Sequence, residues 1–204
     1  MTRATVQYVL RSTPDHRQGA CVRRHGSRDG IFGHFIYADV LEELRFAAEY
    51  REENCVALLE GAIGMDGAGP FVEIDGFSGL EYVEHFPGAY RSLRKEMKLS
   101  KTEKTHGRHL CLGMLVAARG SGAQLTLDAA RLQLSLFNLE FQVVLMMDPE
   151  ENKVALYNQM SPGSFANIGF SVVHPEPSAA ASAENVLEEG GELPEGCDTS
   201  TPSG

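Results

Sequence analysis

The chain has 204 residues, of which 43% are hydrophobic and 23% are charged, and its formal net charge is −10 at pH 7. This length and composition are typical of one compact domain with extra segments at its ends. No run approaches the roughly 18 apolar residues of a membrane helix, and the N-terminus has no hydrophobic signal core. We therefore expect a cytoplasmic protein without a membrane partner.

The two ends of the sequence carry opposite charges. Residues 174–204 contain seven acidic residues and no Lys or Arg, which together with Pro, Ser, Ala and Gly predicts a disordered tail. Residues 1–30 contain six arginines against two aspartates and a short strand candidate at residues 6–10. Nucleic-acid binding is not expected, because the chain is acidic overall and has no Trp for stacking. We divide the chain into a basic arm (1–30), a domain (31–173) and an acidic tail (174–204).

The first half of the domain shows patterns of strands and helices. Residues 31–37 predict a strand, and residues 39–50 predict an amphipathic helix with Asp39 as its cap. Two strands are predicted at residues 71–77 and 80–83, after a glycine-rich connection. Pro87 begins a helix, and a polar loop follows from residue 101.

The second half is organised around the stretch from Gly113 to Asn138. A buried strand at residues 110–118 ends in the turn Arg119-Gly120-Ser121-Gly122, and a helix with Thr126 as its N-cap follows. Strands at residues 139–147, 153–157 and 165–173 complete the chain. This order predicts an α/β sandwich with a central mixed, largely antiparallel sheet flanked by helices.

Several kinds of chemistry have weak signals. The four cysteines are scattered without a C-x-x-C motif, and the two in apolar runs, Cys55 and Cys111, predict buried, unreactive thiols. The glycine-rich turn precedes a helix but lacks the lysine of a phosphate-binding loop. The pair His106 and His109 lies on a polar segment, where we expect a solvated loop in preference to a metal site.

The stretch that begins at Gly113 resembles the core motif of the JAB/MPN (JAMM) metalloprotease family, whose members cleave ubiquitin and ubiquitin-like tags. That motif reads roughly G-W-x-H-x-H-P-G-x-G, then L-S and a zinc-binding Asp, and Gly113, Gly120, Gly122 and Leu125 match it. In the family, the two histidines and the Asp give zinc three ligands and leave one position open. The resemblance implies an MPN-like (cytidine-deaminase-like) sandwich over residues 31–173.

The residues that carry chemistry in the family are replaced in this chain. Val116 and Ala118 occupy the histidine positions, Thr126 the serine position and Ala129 the aspartate position. The upstream family pattern E-x-x-G-L-L-x-G aligns with residues 54–61, where Asn54 replaces the catalytic Glu. An amide cannot take a proton from water, so general-base catalysis is lost there. The resemblance therefore implies a pseudoenzyme without metal or other cofactor.

Within this family, such a domain implies a scaffold or partner subunit, closest to the bacterial members. We expect a protein partner in a homo- or hetero-oligomer, for example an active JAMM peptidase or a component of a ubiquitin-like system. The family's helices are common pairing surfaces, which makes four apolar helix residues candidates for partner contact: Val40, Leu44, Leu134 and Phe137.

Two other hypotheses stay open at this point. The chain could be a metal-dependent isopeptidase-like hydrolase with relocated ligands, drawn from Glu53, Glu60, His106, His109 and Asp128. It could instead be a self-assembling structural protein, in which the basic arm of one copy meets the acidic tail of the next. Such charge pairing would weaken with salt.

Overall fold

A computed structural model of the chain describes residues 21–25, 31–103 and 110–174. Its elements, in chain order, are β1 (Cys21–His25), β2 (Gly33–Tyr37), α1 (Ala38–Tyr50), β3 (Asn54–Asp66), β4 (Gly69–Val83), α2 (Phe86–Glu103), β5 (Leu110–Ala117), α3 (Leu127–Leu136), β6 (Val143–Asp148), β7 (Lys153–Ser161), β8 (Ser164–Ile168) and β9 (Phe170–His174). The strands form one sheet in the order β1-β9-β2-β4-β3-β5-β6-β7-β8.

The sheet is mixed and largely antiparallel, as the sequence predicts. Five neighbouring pairs are antiparallel, namely β1–β9, β3–β4, β3–β5, β6–β7 and β7–β8. The pairs β2–β4, β2–β9 and β5–β6 are parallel. This arrangement confirms the α/β class. β1 lies within the basic arm and pairs along the whole of β9.

The sheet curls strongly on itself. β8 pairs with β7 at one edge, whereas β9 pairs with β2 and β1 near the other edge. Only Gly169 separates β8 from β9, so the two edges of the sheet must approach each other at that residue. The prediction of a single strand over residues 165–173 is wrong, because the first part of this stretch pairs with β7 and the second part pairs with β1 and β2.

Two apolar cores lie on the two faces of the sheet. Successive residues of β3 point to opposite faces, so that Cys55 and Ala57 join the first core while Val56 and Leu58 join the second. The first core is covered by α1, and the second by α2 and α3. α1 and α3 therefore lie on opposite sides of the sheet.

Three local predictions need correction. Two strands are predicted where the structure has the single strand β4. β4 pairs with β3 along its whole length, and two bulges shift the register of this pairing without interrupting the strand. The N-cap of α1 is Tyr37, without a side-chain hydrogen bond. Asp39 lies in the first turn, and its Oδ1 accepts a hydrogen bond from the Val40 amide at 2.9 Å. α2 extends to Glu103, into the predicted polar loop.

Some predictions concern residues outside the described part of the chain. These are the strand candidate at residues 6–10, the pair His106 and His109, and the acidic tail beyond His174. Among the described residues, no helix is long and apolar enough to cross a membrane.

Candidate functional site

The candidate site lies where β5 ends and the glycine-rich turn begins. β5 runs between β3 and β6, and Val116 is paired with Val56 on one side and Met146 on the other. Gly113 brings β5 close to β6, since a Cβ on Gly113 would lie 1.9 Å from the carbonyl oxygen of Val143. This close approach gives a structural reason for a glycine at that position.

Two of the three residues aligned with the resembled family's zinc ligands lie in one apolar cluster. Val116 and Ala129 are buried in the same apolar cluster on the second face of the sheet, and Ala118 is half-buried. Asn54, which is exposed, precedes the pair Cys55–Ala117. The antiparallel register therefore places Asn54 opposite Ala118.

These residues do not fit a zinc ion. Valine and alanine side chains have no lone pairs, whereas zinc sites in proteins are built from Cys, His, Asp or Glu. Thr126, at the family's serine position, acts as the N-cap of α3, and its Oγ1 accepts a hydrogen bond from the Ala129 amide at 3.2 Å. The predicted cap is confirmed. Apolar packing of Val116 and Ala129 occupies this part of the structure, and the exposed Asn54 lies at its edge.

The candidate relocated ligands within the described residues do not converge. Asp128 is exposed and lies 3.7 Å from the guanidinium of Arg131 on the same helix. Glu53 lines an open surface depression. Glu60 accepts a hydrogen bond from Ser78 Oγ at 2.8 Å, six residues along β3 from Asn54 and thus about 20 Å away. No three His, Cys, Asp or Glu side chains are grouped for a metal within the described ranges.

The glycine-rich turn is held by one buried carboxylate, Asp148. Its Oδ1 accepts hydrogen bonds from the amides of Gly120 at 3.3 Å, Glu150 at 3.0 Å and Glu151 at 3.3 Å, and its Oδ2 accepts one from Gly122 at 2.6 Å. Desolvation raises the pKa of Asp148, but these four backbone N–H groups outweigh it, and the pKa is lowered overall. The carboxylate thus joins the glycine-rich turn to the β6–β7 turn.

Arg119 ties the same turn to α1. Its Nη2 donates hydrogen bonds to the carbonyl oxygens of Arg51 at 2.7 Å and Glu49 at 3.3 Å. α1 has no basic residue in its last turn, so Arg119 supplies the positive charge that helix C-termini favour. Arg119 and Asp148 were not predicted as functional residues. The sequence contains one indication of the role of Asp148, which directly follows an apolar run. A charged residue that is buried with such a run requires hydrogen-bond partners.

The predicted partner surface needs correction. Val40 and Leu44 are buried under α1 in the first core, and Phe137 is buried in the second. These three residues pack within the chain and cannot form a surface. Leu134 alone of the four is exposed, at 49%. It also lies on the opposite side of the sheet from α1, so the four residues could not contact one partner together.

The two cysteines with described side chains differ in burial. Cys55 is buried, and desolvation raises the pKa of its thiol to about 11. This thiol is therefore protonated at neutral pH and unreactive. Cys111 is only partly buried, so the expectation of full burial is wrong for it.

We expect Asp148→Ala to lower the free energy of unfolding by about 3 kcal/mol, because four amides lose a charged acceptor. Asp148→Asn, which retains one acceptor oxygen, should cost about 2 kcal/mol. Urea unfolding monitored by circular dichroism measures both values. The matched control is Asp128→Asn on the exposed face of α3, which should change stability by less than about 1 kcal/mol. Equal effects at the two positions would contradict the assignment.

The Asp148 carboxylate should also make stability depend on pH. Its folded pKa lies below its ordinary value of 3.8. Its contribution is therefore complete above that value and is lost as the pH falls through the folded pKa. The stability difference between wild type and Asp148→Asn should be constant from about pH 7 to 5 and shrink towards about pH 2. A difference that grows on acidification would contradict this.

The comparisons with known proteins bear on the fold. The solution structure of protein DSY2949 from Desulfitobacterium hafniense is similar to this chain, with a TM-score of 0.51 and 14% sequence identity. The match covers 72% of this chain and 96% of that one. No protein-family model and no curated protein sequence matches the chain. At this level of identity, the likeness to DSY2949 is one of fold.

Proposed function

We propose that this chain is a non-catalytic, MPN-like protein that serves as a scaffold or partner subunit for another protein. The observation that carries the proposal is the packing around Val116. Every position at which the resembled family has a zinc ligand holds an apolar residue, and Val116 and Ala129 pack in one cluster with the second face of the sheet. In this proposal, a continuous apolar core occupies the place that the zinc ion has in the resembled family.

The arrangement of the elements supports the MPN part of the proposal. β3 and β5 are antiparallel neighbours, so Asn54 and Ala118 lie side by side at one end of the sheet. The glycine-rich turn then leads into the capped helix α3, whose first turn contributes Ala129. This order of strand, turn and helix supports the alignment of Asn54, Ala118 and Ala129 with the family's Glu, second histidine and Asp.

A pair of exposed aromatic rings supports binding to another protein. Phe46 and Tyr50 lie one turn apart on the outer side of α1, 72% and 69% exposed, with ring centroids 6.2 Å apart. Large aromatic side chains contribute strongly to protein interfaces, and they are costly to leave in water. We assign this pair as the centre of the partner surface, in place of the buried residues Val40 and Leu44.

Restoring the ligands tests the MPN frame. In the variant Asn54→Glu, Val116→His, Ala118→His and Ala129→Asp, we expect one zinc ion per chain that resists dialysis, with a zinc-dependent rise in melting temperature. Elemental analysis and thermal unfolding measure these results. The matched control carries Leu127→Asp in place of Ala129→Asp, which puts the carboxylate on the exposed side of α3.

The control variant should bind zinc more weakly by at least about tenfold, since it offers two well-placed ligands in place of three. Circular dichroism with and without zinc shows whether each variant folds. A folded four-residue variant that takes up no more zinc than its control would contradict the MPN frame.

The partner surface has its own test. Purification of the tagged protein from its native cells should bring down a defined partner at constant stoichiometry. Phe46→Ser with Tyr50→Ser should reduce that partner by at least about tenfold, because aromatic anchors dominate interface energy. Leu127→Ser on α3, also exposed, is the control and should leave capture unchanged. Equal capture by the wild type and both variants would contradict the assignment to α1.

A further inference from the structure

A cavity is present at the end of the curled sheet where β2 begins. α1 begins directly after β2 and packs on the first core. At the beginning of β2, a cavity of about 160 Å³ lies between β2 and the strands β7 and β8. The mouths of curled or closed sheets are frequent ligand sites. This cavity shares no residue with the turn after β5.

The wall of the cavity is mainly apolar. Phe32 and Ile168 are buried members of the first core and form part of its lining. Ile31 and Met160, which are 72% and 55% exposed, also line it. Exposed apolar side chains beside an apolar cavity provide an entrance that an organic ligand would cover.

One buried polar group lies in this wall without a partner. His34 is 5% exposed, and its Nε2 has no hydrogen-bond partner. Burial lowers the pKa of His34 to about 4, against a hydrogen bond with the Phe32 backbone that raises it. The ring is therefore neutral at pH 7. Since Nε2 is unpartnered, the bond to Phe32 comes from Nδ1–H, and Nε2 carries a free lone pair.

Three other polar residues line the cavity, namely Glu140, Asn158 and Gln159. Gln159 donates from Nε2 to the Ser161 carbonyl oxygen at 3.3 Å. Asn158 donates from Nδ2 to the Glu140 carbonyl oxygen at 2.9 Å, which fixes its amide in the wall. The Glu140 side chain is exposed and lines the cavity. A neutral imidazole offers no positive charge to a carboxylate or phosphate ligand, and no Lys or Arg is among the described residues that line the cavity. An acceptor nitrogen requires a ligand that donates.

Water alone is a poor match for this cavity. Its volume is several times the roughly 30 Å³ that one water molecule occupies in the liquid. Ordered buried waters need two to four polar partners each, and the lining is largely apolar. An apolar body with one hydroxyl group would satisfy His34 and fill the remaining space.

We propose that this cavity binds a small, uncharged organic ligand with an apolar ring or chain and one hydroxyl group, which donates a hydrogen bond to Nε2 of His34. This inference is independent of the proposed function, because it depends on β2, β7 and β8 and not on the end of β5. Ligand binding would then occur between β2, β7 and β8, and not at the end of β5, where the resembled family binds its metal.

The test uses the full-length protein and phenol as the probe, with benzene as the matched control that lacks the donor. Titration calorimetry should show phenol binding at least about fivefold more tightly than benzene, the ratio expected for one added hydrogen bond. Two-dimensional NMR correlating the ring protons and nitrogens of His34 should show the Nε2 resonance shifting with phenol and not with benzene.

Two variants separate the hydrogen bond from the cavity itself. His34→Leu should abolish the preference for phenol over benzene, whereas His85→Leu, at an exposed histidine, should retain it. Should His34→Leu fail to fold, the Nε2 resonance of the wild type still decides the question. Equal binding of the two probes, or an Nε2 resonance that reports only bound water and does not respond to phenol, would overturn the proposal.

Discussion

The Asp148 carboxylate is the interaction on which the central part of this structure depends. It is fully buried at the end of β6, and four backbone amides from two turns point at it. A buried charge is costly unless it is hydrogen-bonded, so these turns and the carboxylate require one another. Together with Arg119, this group sets the position of the glycine-rich turn, and with it the start of α3.

The same constraint contributes to the shape of the candidate site. Asp148 holds the turn from the side of β6, and Arg119 holds it from the C-terminus of α1. Between them, Val116 packs against the second core. In a metalloprotein, the ion joins the strand end to the following helix. In this chain hydrogen bonds and apolar packing join the end of β5 to α3.

Much of the local structure could be predicted from the sequence because its causes are local. The strand β5 is an apolar run bounded by glycine, and the cap of α3 depends on Thr126 and the amide three residues later. The mixed α/β class follows from the order of these patterns. The failures have non-local causes. Gly169 lies inside an ordinary extended stretch, and only the curl of the whole sheet divides that stretch between two edges.

The site residues show the same division. The resemblance to the family motif points to Val116, Ala118 and Ala129, and that motif is a local stretch of the sequence. It did not identify Asp148 or His34, whose significance comes from burial against distant segments. The zinc content of the untagged wild-type protein tests most directly whether this chain is a non-catalytic, MPN-like protein. Zinc is added, and the excess is removed by dialysis. We expect far less than one zinc per chain and an unchanged melting temperature, and one tightly held zinc ion per chain would contradict this expectation.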